Sequence, residues 1–434
     1  MKQYESYKDS GVQWWGKVPN HWELCKAKNM FSLITDNVSD SSLPKVALEN
    51  IESGTGRFVQ TEGVFMGEGV EFSVDDILFG KLRPYLAKVY KAEFNGQSVG
   101  DIYVFRGKDN QVPDFLKYVL LSYPFISVVD GSTYGAKMPR ANWDFISHMV
   151  LPCPSQEEQH FIASYLNYKV GQIDAAIAEK EQMLEDLKAF RSAIISEAVT
   201  KGLEKNVEMK DSGIEWIGKI PEHWSLVKLK NKAKVNGRIG FRGYTTADLV
   251  QAGEGAFTIG GKHISNCVLD LSNPEYISWD KYYESPEIMV KKGNILMAQR
   301  GSLGKTALVR EDIGPATINP SLILLNSIEM DEVFLYYYLI SNSCIAYIDL
   351  LNTATAVPMI SQNQIENIFI PIPPQKEQSK IASYLDKKTV EIDNSIHQVS
   401  SQISDLKSYK SSLITEAVTG KMDLRGWDHR RVNT

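Results

Sequence analysis

Lys8-Asp-Ser-Gly-Val-Gln-Trp-Trp-Gly-Lys-Val-Pro-Asn-His-Trp-Glu-Leu24 returns as Lys210-Asp-Ser-Gly-Ile-Glu-Trp-Ile-Gly-Lys-Ile-Pro-Glu-His-Trp-Ser-Leu226. Eleven of these 17 positions are identical, at an offset of 202. A second repeat begins at Leu151-Pro-Cys-Pro-Ser-Gln-Glu-Glu-Gln and at Ile370-Pro-Ile-Pro-Pro-Gln-Lys-Glu-Gln. It runs without a gap, at an offset of 219, to Glu197-Ala-Val-Thr200 and Glu416-Ala-Val-Thr419. The chain is therefore written twice, as a shared lead, a variable insert and a shared helical segment. The inserts, residues 25–150 and 227–369, look unrelated at their starts and realign towards their ends, where Met138-Pro139 matches Val357-Pro358. The extra residues of the second insert must then sit early in it. A kept frame with divergent inserts points to one scaffold presenting two different binding surfaces.

The shared segment reads as a helix with one apolar seam. In the first copy Leu166, Val170, Ile173, Ile177, Leu184, Leu187 and Ile194 recur at spacings of three and four, interrupted by Lys180 and Arg191. In the second copy Leu385, Thr389, Ile392, Ile396, Val399, Ile403, Leu406, Lys410 and Leu413 do the same. A 3.5-residue period is the seam of a coiled coil. Ser155 with Glu158 forms a capping box, and Pro374 stands at the matching helix entrance. Each helix has its nearest partner in its own repeat. The link from Thr200 to the second lead is short, so helix two must run back antiparallel to helix one. The expected domains are 1–150, 151–202, 203–369 and 370–421, followed by a tail, 422–434. The fold class is α+β: two α/β globular domains at opposite ends of an antiparallel two-helix coiled coil, with an internal pseudo-two-fold repeat.

At 434 residues, two to four domains are expected. Hydrophobic residues at 43% and charged residues at 23% describe a globular chain and exclude a disordered or collagen-like one. No apolar run approaches ~18 residues, so no membrane span is expected. Met1-Lys-Gln-Tyr-Glu-Ser lacks the core of a signal peptide. Four scattered cysteines suit a reducing, cytoplasmic compartment. The net charge of −6 means that nucleic-acid binding must come from local patches or from partners.

Such patches exist. Lys81, Arg83 and Lys88 lie in an acid-free stretch of the first insert; Lys230, Lys232, Arg238 and Arg242 lie in another in the second. Lysine and arginine contact phosphates, and arginine and glutamine read purine edges in the major groove. The matching loops Gly131-Ser-Thr-Tyr-Gly-Ala-Lys-Met-Pro-Arg140 and Leu350-Leu-Asn-Thr-Ala-Thr-Ala-Val-Pro358 carry different lettering. They add Tyr134, Lys137 and Arg140, and Thr353 and Thr355, to the candidates. Gln299, Arg300, Ser302 and Lys305 complete the set. Gly301-Ser-Leu-Gly304-Lys305-Thr306 lacks the first glycine of a phosphate-binding loop, where Gln299 stands, and reads as a hairpin turn. His21 and His223, each beside a tryptophan, read as packing residues. No metal-ligand cluster, dinucleotide fingerprint or catalytic constellation is found, and no catalytic residue is assigned.

The doubled Asp-Ser-Gly-x-x-Trp-x-Gly-x-x-Pro-x-His-Trp and the doubled Pro-x-Pro-x-Gln-x-Glu-Gln-x-x-Ile-Ala-Ser-Tyr-Leu closely resemble the specificity (S) subunits of type I restriction–modification systems. The resemblance runs from Lys8 to Trp427. It implies a non-catalytic subunit whose two target-recognition domains read the halves of a bipartite, asymmetric site in double-stranded DNA. It implies helices that set the spacer and dock two methyltransferase subunits, with translocase/nuclease subunits joining. S-adenosylmethionine, ATP and Mg²⁺ are then expected on those partners, and no cofactor on this chain. Two rivals remain: a coiled-coil adaptor whose inserts bind proteins, and a nucleotide-dependent enzyme using residues 301–306.

Overall fold

The structure, a computed structural model, describes residues 2–38, 42–63, 68–133, 137–352 and 358–427. It is mixed helix and sheet with two long helices, Gln156–Lys201 and Gln375–Val418. The first has 46 residues and is therefore about 69 Å long at ~1.5 Å per residue. The chain divides into two compact units, Met1–Gln182 with Ser400–Thr434, and Met183–Val399. The division falls inside the long helices, so each unit holds one insert and a stretch of both helices.

In unit 1 the lead forms a small hairpin, Tyr7–Asp9 against Lys17–Pro19. It ends on Trp22, whose indole is buried. Glu23–Lys26 then pairs with Val150–Cys153, closing the insert at its root. The insert holds an antiparallel sheet in the order Phe31–Ile34, Ile102–Gly107, Ile77–Gly80, Val89–Lys91. A second sheet runs Asn37–Val38, Gly69–Phe72, Gly96–Ser98, Lys45–Val46, the last pair parallel. The runs at Ile77, Val89 and Ile102 are strands rich in β-branched and aromatic residues, and Ile77–Gly80 is buried along its whole length.

Unit 2 repeats the plan. Its sheets run Lys234–Gly237, Leu322–Asn326, Ile295–Ala298, Thr306–Leu308, and Leu249–Val250, Tyr276–Ser278, Gly255–Ile259, Ala316–Ile318. Hydrogen bonds from backbone N–H groups to side chains align what the sequence left unrelated. Asn50 Oδ1 accepts the N–H of Ala47, and His263 Nδ1 accepts that of Gly260. Asp76 accepts the N–H of Ser73, and Asn294 that of Lys291. With these pairs matched, all but one of the 17 extra residues of the second insert enter before Gly260 or between His263 and Asn294.

Among the described residues each insert ends in a run of three short helices. Pro113–Leu121 is followed by Tyr123–Gly131 and Trp143–His148, and Glu332–Leu339 by Asn342–Leu351 and Gln362–Glu366. These are short, and side-chain caps rather than apolar periodicity start several of them. Asp331 accepts from Val333 and Phe334, Ser341 from Cys344, and Ser361 from Gln364. Among the described residues no single helix is long and apolar enough to cross a membrane.

The helical repeat explains why its motif is kept. Glu158 is the N3 residue of the Ser155 cap, and its carboxylate also takes His21 Nε2 at 3.0 Å and the Trp22 indole N–H at 3.3 Å. In unit 2 Glu377 takes His223 at 2.9 Å and Trp224 at 3.2 Å. Gln159 accepts the N–H of Val112 and donates to Pro154 O; Gln378 does the same with Asp331 and Pro373. The Glu-Gln pair thus pins both lead and insert to the start of a long helix. At the far ends Gly420 and Gly202 have φ of +71° and +78°. A Cβ on Gly420 would lie 2.4 Å from Pro19 Cδ, and one on Gly202 3.3 Å from the Trp224 ring. Both helices therefore stop at a left-handed glycine that also lets the lead pack close.

The seam is antiparallel within each unit. In unit 1 Asp174 meets Lys410 at 2.8 Å and Glu181 meets Lys407 at 2.9 Å. In unit 2 Arg191 meets Asp393 at 2.8 Å. Leu166, Ile173, Ile177, Leu385, Ile392, Val399, Ile403 and Leu413 are buried, while Leu184, Leu187, Ile194, Ile396 and Leu406 are half-buried. Lys410 and Arg191, which break the apolar stripe, are each answered by an aspartate on the facing helix.

Candidate nucleic-acid interface

In each unit two loops that the repeat marked as equivalent are stitched together by the backbone. In unit 1 the turn after Ile77–Gly80 meets the X-Pro loop. Arg83 N–H donates to Pro139 O at 2.8 Å and Ala141 N–H to Lys81 O at 2.7 Å, around an antiparallel bridge of Leu82 with Arg140. In unit 2 Gly301 N–H donates to Pro358 O at 2.9 Å and Ile360 N–H to Gln299 O at 3.0 Å, around a bridge of Arg300 with Met359. Gln299 thus matches Lys81, Arg300 matches Leu82, and Met359 matches Arg140.

The strand after each turn is also matched, since Gly80 N–H donates to Lys88 O and Ala298 N–H to Lys305 O, both at 2.8 Å. Residues 301–306 are the turn of this hairpin, leading into a strand; a phosphate-binding loop leads into a helix. Two positions of the turn are left-handed in both units. Unit 2 fills them with Gly301 and Gly304 at φ of +79° and +73°, unit 1 with Arg83 and Ala87 at +52° and +46°. A left-handed non-glycine residue costs about 1–2 kcal/mol, and such strain clusters at functional sites.

The candidates separate into three groups. Arg83, Lys137, Arg140, Arg300, Ser302 and Lys305 are exposed on the bridged loops. Among the described residues no side-chain hydrogen bond or ion pair holds Arg83, Arg300 or Lys305. Arg300 and Ser302 border a recess of about 400 Å³ with Asn319, Ser321, Lys262 and Glu275.

A second group is committed inside its own unit. Lys88 Nζ donates to Leu48 O and Ile51 O at 2.6 and 2.8 Å. Arg238, 7% exposed, donates to Ile318 O and Thr317 Oγ1 at 3.1 and 3.0 Å; burial pulls its pKa down. Arg242 pairs with Glu287 at 3.2 Å, and Gln299 donates to Pro320 O at 3.0 Å. The acid-free stretches in sequence are therefore not acid-free in space. Arg238 and Lys88 are thus engaged by carbonyl and hydroxyl oxygens inside their own inserts.

The third group stands elsewhere. Lys230 and Lys232 lie where Leu229 N–H meets Ile368 O and Lys232 O meets Glu329 N–H, at the root of the insert. Tyr134, Thr353 and Thr355 lie outside the described residues.

One residue was missed. Asp101 accepts Arg140 Nε at 3.2 Å and Nη2 at 3.0 Å, and lies 3.7 Å from Lys81 Nζ. The Arg140 guanidinium, and then Lys81, hold its carboxyl below the usual range. Its backbone place, accepting Lys81 N–H, is taken in unit 2 by Ser321, which accepts Gln299 N–H. The sequence marks Asp101 only as a turn residue after Gly100. Among the described residues no three His, Cys, Asp or Glu side chains cluster as a metal site would require.

Residues 270–403 match the type I restriction modification DNA specificity domain family. The chain is 24% identical over 371 residues to the specificity subunit of the type I restriction enzyme EcoBI of Escherichia coli, covering 82% of this chain and 75% of that one. It is 22% identical over 434 residues to the MjaVIII specificity subunit of Methanocaldococcus jannaschii, covering 94% and 95%. Among solved structures, a chain from a type I R-M system studied for complex assembly and conformational transition superposes with a TM-score of 0.72 at 16% identity, covering 93% of this chain and 99% of that one. The HsdS subunit from Thermoanaerobacter tengcongensis superposes with a TM-score of 0.50 at 17% identity, covering 93% and 98%.

Proposed function

We propose that this chain, which belongs with the specificity subunits of type I restriction–modification systems, reads a bipartite asymmetric site in double-stranded DNA, one half with each insert. The observation that carries this is the pair of bridged loops. They have the same backbone stitching in both units and different side chains at the bridge, Lys81, Leu82, Arg83 and Arg140 in one against Gln299, Arg300, Gly301 and Met359 in the other. Two readers of different sequences require that combination: a backbone that holds the loop rigid and lettering that is free to differ.

On this reading the exposed cations at the loops position the domain on phosphates or meet base edges in the major groove. The helix pair sets the spacer between the half-sites and offers its outer faces to two methyltransferase subunits. Translocase/nuclease subunits complete a restricting complex. S-adenosylmethionine, ATP and Mg²⁺ then belong to those partners, in the cytoplasm, and this chain supplies recognition without catalysis.

The test is to co-express the chain with its methyltransferase partner in a host free of DNA methylation and to read modified bases by long-read sequencing. The expected result is one bipartite motif with modified adenine in both halves and a fixed gap. Exchanging residues 227–369 for those of another specificity subunit should change one half only. Removing one heptad from each helix should shorten the gap or abolish modification; an unchanged gap would refute the spacer role. A co-purifying complex that modifies nothing and does not retain DNA at moderate salt would favour the protein-binding adaptor.

A further inference from the structure

We infer that Arg140 reads a guanine in the half-site taken by the first insert, and that Asp101 is the positioning residue that aims it; this rests on the DNA-reading function proposed above. Arg140 leaves the backbone at the Leu82 bridge, where its neighbours Pro139 and Ala141 are both hydrogen-bonded to the facing turn. Tyr103 adds a third tie, its hydroxyl donating to Ala141 O at 3.1 Å. The root of the side chain is therefore fixed.

Its tip is fixed too. Asp101 accepts Nε–H at 3.2 Å and one N–H of Nη2 at 3.0 Å. Lys81 approaches the same carboxylate at 3.7 Å and stands 5.4 Å from the Tyr103 ring centroid. The carboxylate thus occupies one edge of the guanidinium. Both hydrogens of Nη1 and the second hydrogen of Nη2 remain, and the outward one of Nη1 with that of Nη2 forms the end-on fork that matches O6 and N7 of guanine. The guanidinium stays half exposed, at 49%, while Asp101 is at 23%, so the fork faces solvent and the acid lies behind it. Adenine presents a donor where guanine presents O6, so a donor-only fork discriminates between the two purines. Holding the fork in advance removes part of the ordering cost that a free arginine pays on binding.

Unit 2 shows what the acid adds. There the arginine of the bridge is Arg300, on the opposite strand, and Ser321 replaces the acid. The same assignment therefore does not extend to Arg300.

The experiment uses the co-expressed methyltransferase complex. The first insert's half-site is the one that survives exchange of residues 227–369. We expect it to contain a G·C pair. Arg140→Ala should relax that one position, lowering modification of the original motif about 10- to 100-fold relative to the relaxed set. Arg140→Lys should not restore discrimination, because an ammonium lacks the fork. Asp101→Asn should relax the same position by a smaller factor. An unchanged second half-site in each variant shows that the complex has folded. A half-site without a G·C pair overturns the inference while leaving the DNA-reading function standing. So does an Arg140→Ala variant that weakens all sequences alike, as a phosphate contact would, or one that leaves the motif intact. Loss of the DNA-reading function itself would be seen differently, as wild-type complex that neither modifies nor retains DNA.

Discussion

The two units place one arginine on the same two-residue bridge, but from opposite strands. Unit 1 has Leu82 facing Arg140; unit 2 has Arg300 facing Met359. The backbone around the bridge is unchanged, yet the charge leaves from a different strand and, in unit 1 alone, against an acid. The same contrast recurs in the seam. Asp174 with Lys410 and Asp393 with Arg191 occupy matching places on the repeated helices, but the first pair is buried and the second half-exposed. Divergence in this protein therefore changes the environment of equivalent charges more than the framework that carries them.

The largest expected effect separates the seam pairs. Asp174 is 9% exposed and Lys410 7%, and Arg57 adds a second cation to Asp174 at 2.8 Å. Asp174→Asn leaves a buried ammonium without its counter-charge and should destabilise unit 1 by about 3 kcal/mol. Asp393, 50% exposed beside Arg191 at 21%, should lose only about 0.5 kcal/mol as Asp393→Asn. Hydrogen exchange resolved to each unit measures both. Equal losses would show that burial does not distinguish the two pairs. Replacing Asp174 and Lys410 together by leucine should recover most of the loss.

A smaller effect tests the turn. Arg83→Gly relieves a left-handed conformation but gives the unfolded chain more freedom, for a net gain of about 0.5 kcal/mol. Gly301→Arg, the reverse change at the matching position, should cost about as much. Thermal melts of the two variants should move in opposite directions; a shift in the same direction would break the structural match between the turns.

The smallest effect is one of pH. Because the folded-state pKa of Asp101 is depressed, its clamp on Arg140 is fully present above the usual carboxylate range. It is lost as pH falls below about 4, through the depressed value. The exposure of the pair keeps the stability involved small. A carboxylate titration followed by NMR should show Asp101 and the Arg140 Nε–H responding together. The unit 2 loop, with Ser321, should show no such step.

Much of this was readable from the repeat. Two copies of one lead and one helix motif imply a duplicated frame. The 3.5-residue stripe places the seam, and the aligned X-Pro turns mark the loops that the structure finds bridged. Gly301–Thr306 was readable as a turn because Gln299 stands where a phosphate-binding loop needs its first glycine. The runs of lysine and arginine misled, since charge along a strand says nothing of which acid or carbonyl the fold brings across. Lys88 reaches carbonyls at Leu48 and Ile51, and Arg238 reaches Thr317 and Ile318. Those partners lie on other elements, a short 3-10 helix and a strand, out of sight of any local pattern.

What the sequence by itself determined is the frame: its periodicity, caps and repeats are local properties, and a chain carrying them twice must build the same frame twice. What only the tertiary structure decided is which charges are free. Asp101 and Arg140 lie 39 residues apart, and so does their role, until the Leu82 bridge and the turn after Gly100 bring them within hydrogen-bond range. Exposure and pairing are properties of surfaces assembled from several strands, and no single stretch of sequence contains such a surface.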